Sequence, residues 1–429
     1  MNIYEIHQLY LTCTGGIATD TRKIKSNSLF VALKGEKFNA NTFAKKALDL
    51  GVNYVIIDEK EYFVDQRTIL VEDALNTLQE LAKFHRNYLK IPIIALTGSN
   101  GKTTTKELIY QVLSKKYKAQ ATVGNLNNHI GVPLTLLSFT KETEMGIVEM
   151  GANHQKEIAF LCSIAQPDYG YITNFGKAHL EGFGGVEGVI KGKSEMYDYL
   201  LENNKQVIVN ADDTIQVEKT KAGSTYSFTL QNNQADIIFT NSIALPFVSL
   251  TVENIIIHSQ LIGLYNATNV AAAITIGYLF NVSFEQCKEA IESYIPENNR
   301  SQIIRKQNRE IILDAYNANP SSMALAIDNF MQLHATKRML VLGDMFELGN
   351  ESLQEHKAIL DKLTQFTSLD FLVYFVGKDF YTHKISDSRM VFCHDFEDFK
   401  QQFKNDDSFQ LLLIKGSRGM ALERILDLL

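Results

Sequence analysis

Short runs of consecutive apolar residues, each followed by a stretch with helical spacing, recur along most of the chain. LFVAL at 29–33 and YVIID at 54–58 come first, with helical patterns over 40–50 and 73–88. A strand buried on both faces is apolar at nearly every position, whereas a half-wet strand alternates. The first segment, residues 1–90, therefore reads as a small N-terminal α/β domain. Lys90-Ile91-Pro92 interrupts its last helix, since proline disfavours helical geometry in the residue before it. From Ile93 the alternation restarts through IIALT, GIVEM (146–150), YGYITN (169–174) and QVIVN (206–210), which predicts a central parallel sheet over residues 91–295. Residues 225–260 differ, with the alternating segments FVSLTV (247–252) and NIIIHS (254–259) predicting a small antiparallel excursion before helices at 267–280 and 284–294. After Pro296 come EIILDA (310–315), MLVLGD (339–344), FLVYFVG (371–377) and LLLIKG (411–416). Helices are expected from Pro320, near 352–366, at 395–405 and at the end. Residues 296–429 thus read as a C-terminal, Rossmann-like domain. It lacks GxGxxG, so no dinucleotide is expected there.

The length of 429 residues fits three domains of the usual ~150 residues. With 45% hydrophobic and 21% charged residues the chain is globular in composition, and a net charge of -7 argues against a general nucleic-acid binder. No signal segment is evident at the N-terminus, and no apolar run approaches the ~18 residues a membrane span needs. A cytoplasmic monomer without a transmembrane segment is the expectation. Cys13, Cys162, Cys287 and Cys393 are scattered, with no metal or disulfide spacing.

The candidate chemistry starts at IIALTGSNGKTTTKE. An apolar strand ends at Leu96. Gly98 and Gly101 allow successive backbone N–H groups of Thr97, Gly98, Ser99, Asn100 and Gly101 to turn toward one point, and a helix opens with Lys102, Thr103 and Thr104. Such a nest at a helix N-terminus holds phosphate oxygens; Lys102 adds a positive charge and the Thr103 hydroxyl can ligate Mg²⁺. The formal phosphate-loop pattern wants glycine where this chain has Leu96. A nucleotide-cleaving site also needs a carboxylate near the metal, and Glu149 stands at the end of a neighbouring strand. YITNFGKAHLEGFGG then runs a third strand into a glycine-rich loop that carries His179.

These motifs together resemble the Mur ligase family, the ATP-dependent amide-forming enzymes of peptidoglycan precursor synthesis. TGSNGKTTTKE, VEMGAN (148–153), TNFGKAHLEGFGGVEGVIKGKSE (173–195), GLYNATNVAAA (263–273), DAYNANPSSM (314–323), LGDMFELG (342–349) and LLIKGSRGM (412–420) follow in family order. Within it, GNLNNHIGVP (124–133) and DAYNANPSSM look like the member that adds D-alanyl-D-alanine to the UDP-N-acetylmuramoyl-tripeptide. The resemblance implies a central P-loop ATPase domain using ATP and Mg²⁺, with Thr103, Glu149 and His179 at the metals. It also implies a CO₂-carbamylated lysine, which matches Lys193 rather than Lys191. Asn266 matches an adenine-contacting residue, although Tyr265 stands where the family has histidine. Arg300 matches a γ-phosphate contact and Asp314 a ribose contact.

By the same resemblance Thr21, Arg22 and Asn41 in the first domain bind the UDP-sugar. Asn125, Asn127 and Asn128 face peptide or sugar, beside a His129 where the family commonly has aspartate. Asn317, Asn319, Lys415, Ser417 and Arg418 face the incoming dipeptide and the peptide carboxylates. Lys102, Lys193, His179 and Arg300 form the implied catalytic set, acting through an acyl phosphate. Alternatives in view are a sister ligase adding the third amino acid, a folylpolyglutamate synthase-like ligase, and a P-loop protein whose nucleotide gates a partner.

Overall fold

The computed structural model describes residues 1–231, 234–297 and 299–429. Among them, four parallel strands form the first sheet, in the order Ile17–Ala18, Leu29–Val31, Tyr54–Ile57, Thr68–Leu70. Leu29, Val31, Val55, Ile56 and Ile57 are completely buried, as the unbroken apolar runs required. The helix Ala74–Leu89 starts on an Asp73 cap that accepts from Asn76 N and stops at Lys90, whose φ of 56° is left-handed just before Ile91-Pro92.

Among the described residues the second sheet has nine strands. Its order is Ile255–Ile262, Phe247–Val252, Ile237–Ala244, Thr225–Thr229, Gln206–Asn210, Tyr169–Ile172, Ile93–Thr97, Met145–Glu149, Ala119–Ala121. The strand Ile93–Thr97 lies between Tyr169–Ile172 and Met145–Glu149, parallel to both, with Leu96 opposite Glu149 and Thr97 opposite Ile172. Three strand ends therefore converge on one edge of the sheet. The expected antiparallel excursion at 225–260 is only partly so. Thr225–Thr229 and the start of Ile237–Ala244 continue the sheet in parallel, and only the pairings of Phe247–Val252 with its two neighbours are antiparallel. Alternation marked the wet face of these strands but carried no information on direction.

The third sheet runs Gln302–Lys306, Arg309–Asp314, Leu411–Lys415, Arg338–Gly343, Phe371–Val376, Met390–Cys393, all parallel except the first hairpin. Asn319 caps the helix Pro320–Gln332 through a capping box, with Pro320 at the first helical position. The expected terminal helix is a 3₁₀ segment, Leu422–Leu428. No helix of the described residues is long and apolar enough to cross a membrane.

Candidate active site

The loop after Ile93–Thr97 is built on two glycines. Gly98 has φ 143°, and a Cβ there would lie 2.0 Å from Thr173 Oγ1; Gly101 has φ 78°, and its Cβ would lie 2.7 Å from Asn269 Oδ1. Only glycine fits either position. The turn is tied to the neighbouring strand end: Asn100 N donates to Asn174 Oδ1 at 3.1 Å, Thr173 Oγ1 donates to Asn100 O at 2.6 Å, and Ser99 Oγ donates to Gly176 O at 2.6 Å. Lys102 opens the following helix and folds back, its Nζ donating to Gly98 O at 2.7 Å. Desolvation lowers the Lys102 pKa, opposed by the charge of Glu149 and reinforced by that of Arg300, so these three groups share one electrostatic neighbourhood.

Glu149 is 2% exposed. Its Oε1 accepts from Asn127 Nδ2 at 2.8 Å, its backbone N–H donates to Thr122 Oγ1 at 2.9 Å, and its Oε2 is buried without a hydrogen-bond partner among the described residues. A buried carboxylate oxygen left unpaired is costly unless a ligand completes it. Asn127, expected to face peptide or sugar, lines the cleft and gives one amide N–H to this carboxylate.

His179 sits in the left-handed region, φ 53°, and its Nδ1 contacts the carboxylate of Glu347. That contact holds Glu347 below the usual carboxylate range. Lys193 lies on the helix Val186–Glu202, 1% exposed, its Nζ 3.2 Å from Ala152 O and 5.0 Å from the centre of the Phe183 ring. Burial, then the charge of Lys102, pushes its pKa well down.

From the third sheet, Lys415 Nζ donates to Asp314 Oδ2 at 2.5 Å, Ser301 N donates to Asp314 Oδ1 at 3.2 Å, and the Arg300 guanidinium lies 3.6 Å from the Tyr316 ring centre. Asn319 Nδ2 donates to Asn100 Oδ1 at 2.7 Å, Lys177 N donates to Ser321 Oγ at 2.8 Å, and Lys177 Nζ pairs with Glu355 at 2.5 Å. The third sheet is thus docked on the phosphate loop. Between them lies a cleft of about 1050 Å³, lined by Ser99 to Thr104, Asn125, Asn127, Asn128, Glu149, His179, Asn266, Arg300, Asp314, Asn317, Asn319, Lys415, Ser417 and Arg418.

The other candidates are set back from the cleft or held by their own scaffold. Thr97, Gly98 and Lys193 do not line the cleft surface; Lys193 is buried one layer back, its Nζ on the O of Ala152, which does line it, and close enough to Lys102 to feel its charge. Thr21 and Arg22 form an exposed 3₁₀ turn in which Arg22 pairs with Asp20 at 2.8 Å. Asn41 is fully buried, exchanging hydrogen bonds with Asp58 at 2.8 and 3.0 Å, so its amide holds the loop together. Asn266 is pinned likewise, donating to Ile262 O at 2.7 Å and accepting from Asn269 at 2.8 Å. Sequence reasoning gave no role to Glu347, Phe346 or Asp213, which also line the cleft. The ELG segment inside LGDMFELG, at the tip of a parallel strand, was the available signal for Glu347.

Among the described residues no group of three or more His, Cys, Asp or Glu side chains is placed to hold a metal. Mg²⁺ rarely asks for one: it is commonly held by one or two carboxylates, water and substrate phosphates. The orphaned Glu149 oxygen near the Lys102 loop fits that requirement.

A phosphate-loop sheet facing a second parallel sheet across a polar cleft defines a nucleotide-dependent enzyme of the two-lobed type. Residues 96–277 match the Mur ligase middle domain and residues 299–418 the Mur ligase, glutamate ligase domain, and the chain belongs to the Mur ligase family. It is 35% identical over 425 residues to the UDP-N-acetylmuramoyl-tripeptide D-alanyl-D-alanine ligase of Bacillus subtilis (strain 168), covering 96% of this chain and 93% of that one. The crystal structure of MurF from Acinetobacter baumannii superposes with a TM-score of 0.85 at 30% identity, covering 98% and 97% of the two chains. MurF ligase from Thermotoga maritima in complex with ADP gives 0.83 at 26% identity, covering 97% of each.

Proposed function

We propose that this protein is the ATP-dependent ligase that joins D-alanyl-D-alanine to UDP-N-acetylmuramoyl-tripeptide, forming a C–N bond in peptidoglycan precursor synthesis. The observation that carries the reading is the shared cleft. The phosphate loop of one sheet and the amide, lysine and arginine side chains of another line the same space, so nucleotide and peptide ends can meet there.

In the proposed reaction the terminal carboxylate of the tripeptide attacks the γ-phosphorus of ATP, giving an acyl phosphate and ADP. The dipeptide amine then attacks the acyl carbon and phosphate leaves. The loop N–H groups and Lys102 bind the phosphates, and Arg300 adds positive charge where the transferring phosphoryl group carries negative charge. Asp314 holds the ribose, and Arg418 is suited to grip a carboxylate. Thr103, Glu149, His179 and a carbamylated Lys193 are the residues that would hold Mg²⁺. The metal, when bound, would offset phosphate charge and orient the phosphates. Lys193 suits carbamylation because burial, then the Lys102 charge, favours its uncharged amine, the form that adds to CO₂. Docking of the third sheet keeps water from the activated acid.

One chain supplies both walls of the cleft, so a monomer suffices. The four cysteines are all free, in keeping with the reducing cytoplasm. The test is phosphate release from ATP with UDP-N-acetylmuramoyl-tripeptide, with and without D-alanyl-D-alanine, alongside single amino acids and a folate acceptor. Turnover that requires the dipeptide is expected. Turnover with another pair would point to a sister ligase or a folylpolyglutamate synthase-like enzyme, and turnover indifferent to any amine would point to a nucleotide-gated protein.

A further inference from the structure

His179 belongs to the nucleotide sheet, but the group that holds it comes from the other lobe. Glu347 lies in the segment that leaves the strand Arg338–Gly343, and its backbone is set in the left-handed region, φ 64°, unusual for a residue with a side chain. The two residues just before it are pinned: Phe346 N donates to Ser417 Oγ at 2.9 Å, and Met345 N donates to His356 Nε2 at 3.0 Å. Glu181 N donates to Glu347 O at 3.4 Å, closing a second link between the same two loops. A carboxylate so placed accepts the Nδ1 proton of His179 and leaves Nε2 with the ring's lone pair. A free imidazole prefers the opposite tautomer, so the choice must be imposed from outside. A metal-binding histidine is commonly fixed in this way by a carboxylate on its second nitrogen.

We propose that Glu347 is a positioning residue: carried in by the third sheet, it sets the tautomer and direction of His179, so that docking of the lobes completes the ligand set at the nucleotide. The proposal rests on the ligase reading for the purpose of the setting, not for the setting itself. Backbone strain at a pinned carboxylate is explained by this task, and the half-exposed Glu347 side chain buries little area that could justify it otherwise.

The test pairs a spectroscopic readout with kinetics. In the protein without substrates, long-range nitrogen–proton NMR of the His179 ring is expected to show the Nδ1–H form, and Glu347→Ala to move it toward Nε2–H. Phosphate release by Glu347→Ala is expected to fall ~10–100-fold in kcat with little change in KM for D-alanyl-D-alanine. Glu347→Gln, whose amide oxygen still accepts, should recover most of the kcat and keep the tautomer. Glu355→Ala removes the Lys177 pair across the same interface but keeps Glu347, and it should shift the His179 tautomer far less than Glu347→Ala does. An unchanged tautomer in Glu347→Ala, or an equal change in Glu355→Ala, overturns the proposal. If Glu347→Ala does not fold, the Gln variant decides: an Nε2–H ring there overturns it too. Absence of turnover in the unmodified protein would sink the ligase reading alone, because the ring measurement needs no substrate.

Discussion

Asn127 offers the sharpest test of the nucleotide site. Its Nδ2 is the side-chain donor to Glu149, a carboxylate 2% exposed whose second oxygen has no partner among the described residues. Asn127→Ala would leave both oxygens of a buried anion unpaired. A hydrogen bond to a charged group contributes about 1.5–3 kcal/mol, so the variant should lose stability of that order in urea without nucleotide. Because the bond also aims the carboxylate, the Mg²⁺ concentration for half-maximal phosphate release should rise ~10–100-fold. Asn127→Asp is harsher. It sets a second carboxylate at the 2.8 Å separation of the present pair, where like charges at an effective dielectric constant of ~20 repel by roughly 6 kcal/mol. The pair would share a proton rather than bear that, raising one carboxyl pKa. The Asp variant should then be less stable than the Ala variant at pH 8 and regain part of the difference at pH 5. The reasoning is refuted if Asn127→Ala stays within about 0.5 kcal/mol of the parent with an unaltered Mg²⁺ requirement.

Three further outcomes follow from the same geometry. Gly98→Ala puts a methyl 2.0 Å from Thr173 Oγ1 and 2.9 Å from the Thr173 backbone N. Overpacking of this kind costs about 1–3 kcal/mol, and calorimetry should find ATP binding weakened at least ~10-fold because the loop must shift. Lys193→Ala should abolish most phosphate release, and stripping CO₂ and bicarbonate from the parent enzyme should reduce turnover reversibly. Normal turnover in the variant removes the carbamate. At the junction of the first and second sheets, His7 Nε2 and His85 Nδ1 meet at 3.0 Å, both side chains buried, and burial first, then His85, lowers His7 to about 4. The unfolded chain takes up this proton near pH 6.5 and the folded one near 4, so stability is fully present above pH 6.5 and falls as pH drops toward 4. Between pH 7 and 5 the loss should be about 2 kcal/mol, and urea titrations of His7→Gln should show a flatter acid limb.

Fully buried strands announce themselves, which is why IIALT, GIVEM and LLLIKG could be read directly. Short edge strands could not: Ala119–Ala121 and Gln302–Lys306 are only partly buried and carry no unbroken apolar run. The phosphate loop was legible because strand, glycines, lysine and helix are contiguous and each has a local reason. The part Asn127 plays at Glu149, and Glu347 altogether, were not, because these come from partners at Glu149 and His179, 22 and 168 positions away. Asn41 and Asn266 show the converse. Each is a polar residue in a site-like segment, yet each spends its amide on its own scaffold, and local sequence cannot distinguish a side chain aimed at a ligand from one aimed at a carbonyl.

The placement of the cleft follows from how the central sheet is wound. From Ile93–Thr97 the chain crosses to Ala119–Ala121 on one side, while Met145–Glu149 crosses back over it to Tyr169–Ile172 on the other. Connections leaving in opposite directions open a crevice at the strand ends, and a doubly wound sheet can hold a phosphate there without burying an unpaired backbone group. That crevice is open on top. A reaction whose intermediate water would destroy needs a cover, and a cover made of loops alone would not fix Arg300, Asp314 and Lys415 in register. A second parallel sheet presented end-on does, because the strand pairing that sets Asp314 opposite Lys415 also sets their side chains against each other. The two lobes are therefore each unable to make the site, and a change that weakens only their contact, such as loss of the Lys177–Glu355 pair, should raise ADP release relative to ligation rather than stop ATP binding. Equal loss of both steps would mean the contact serves stability alone.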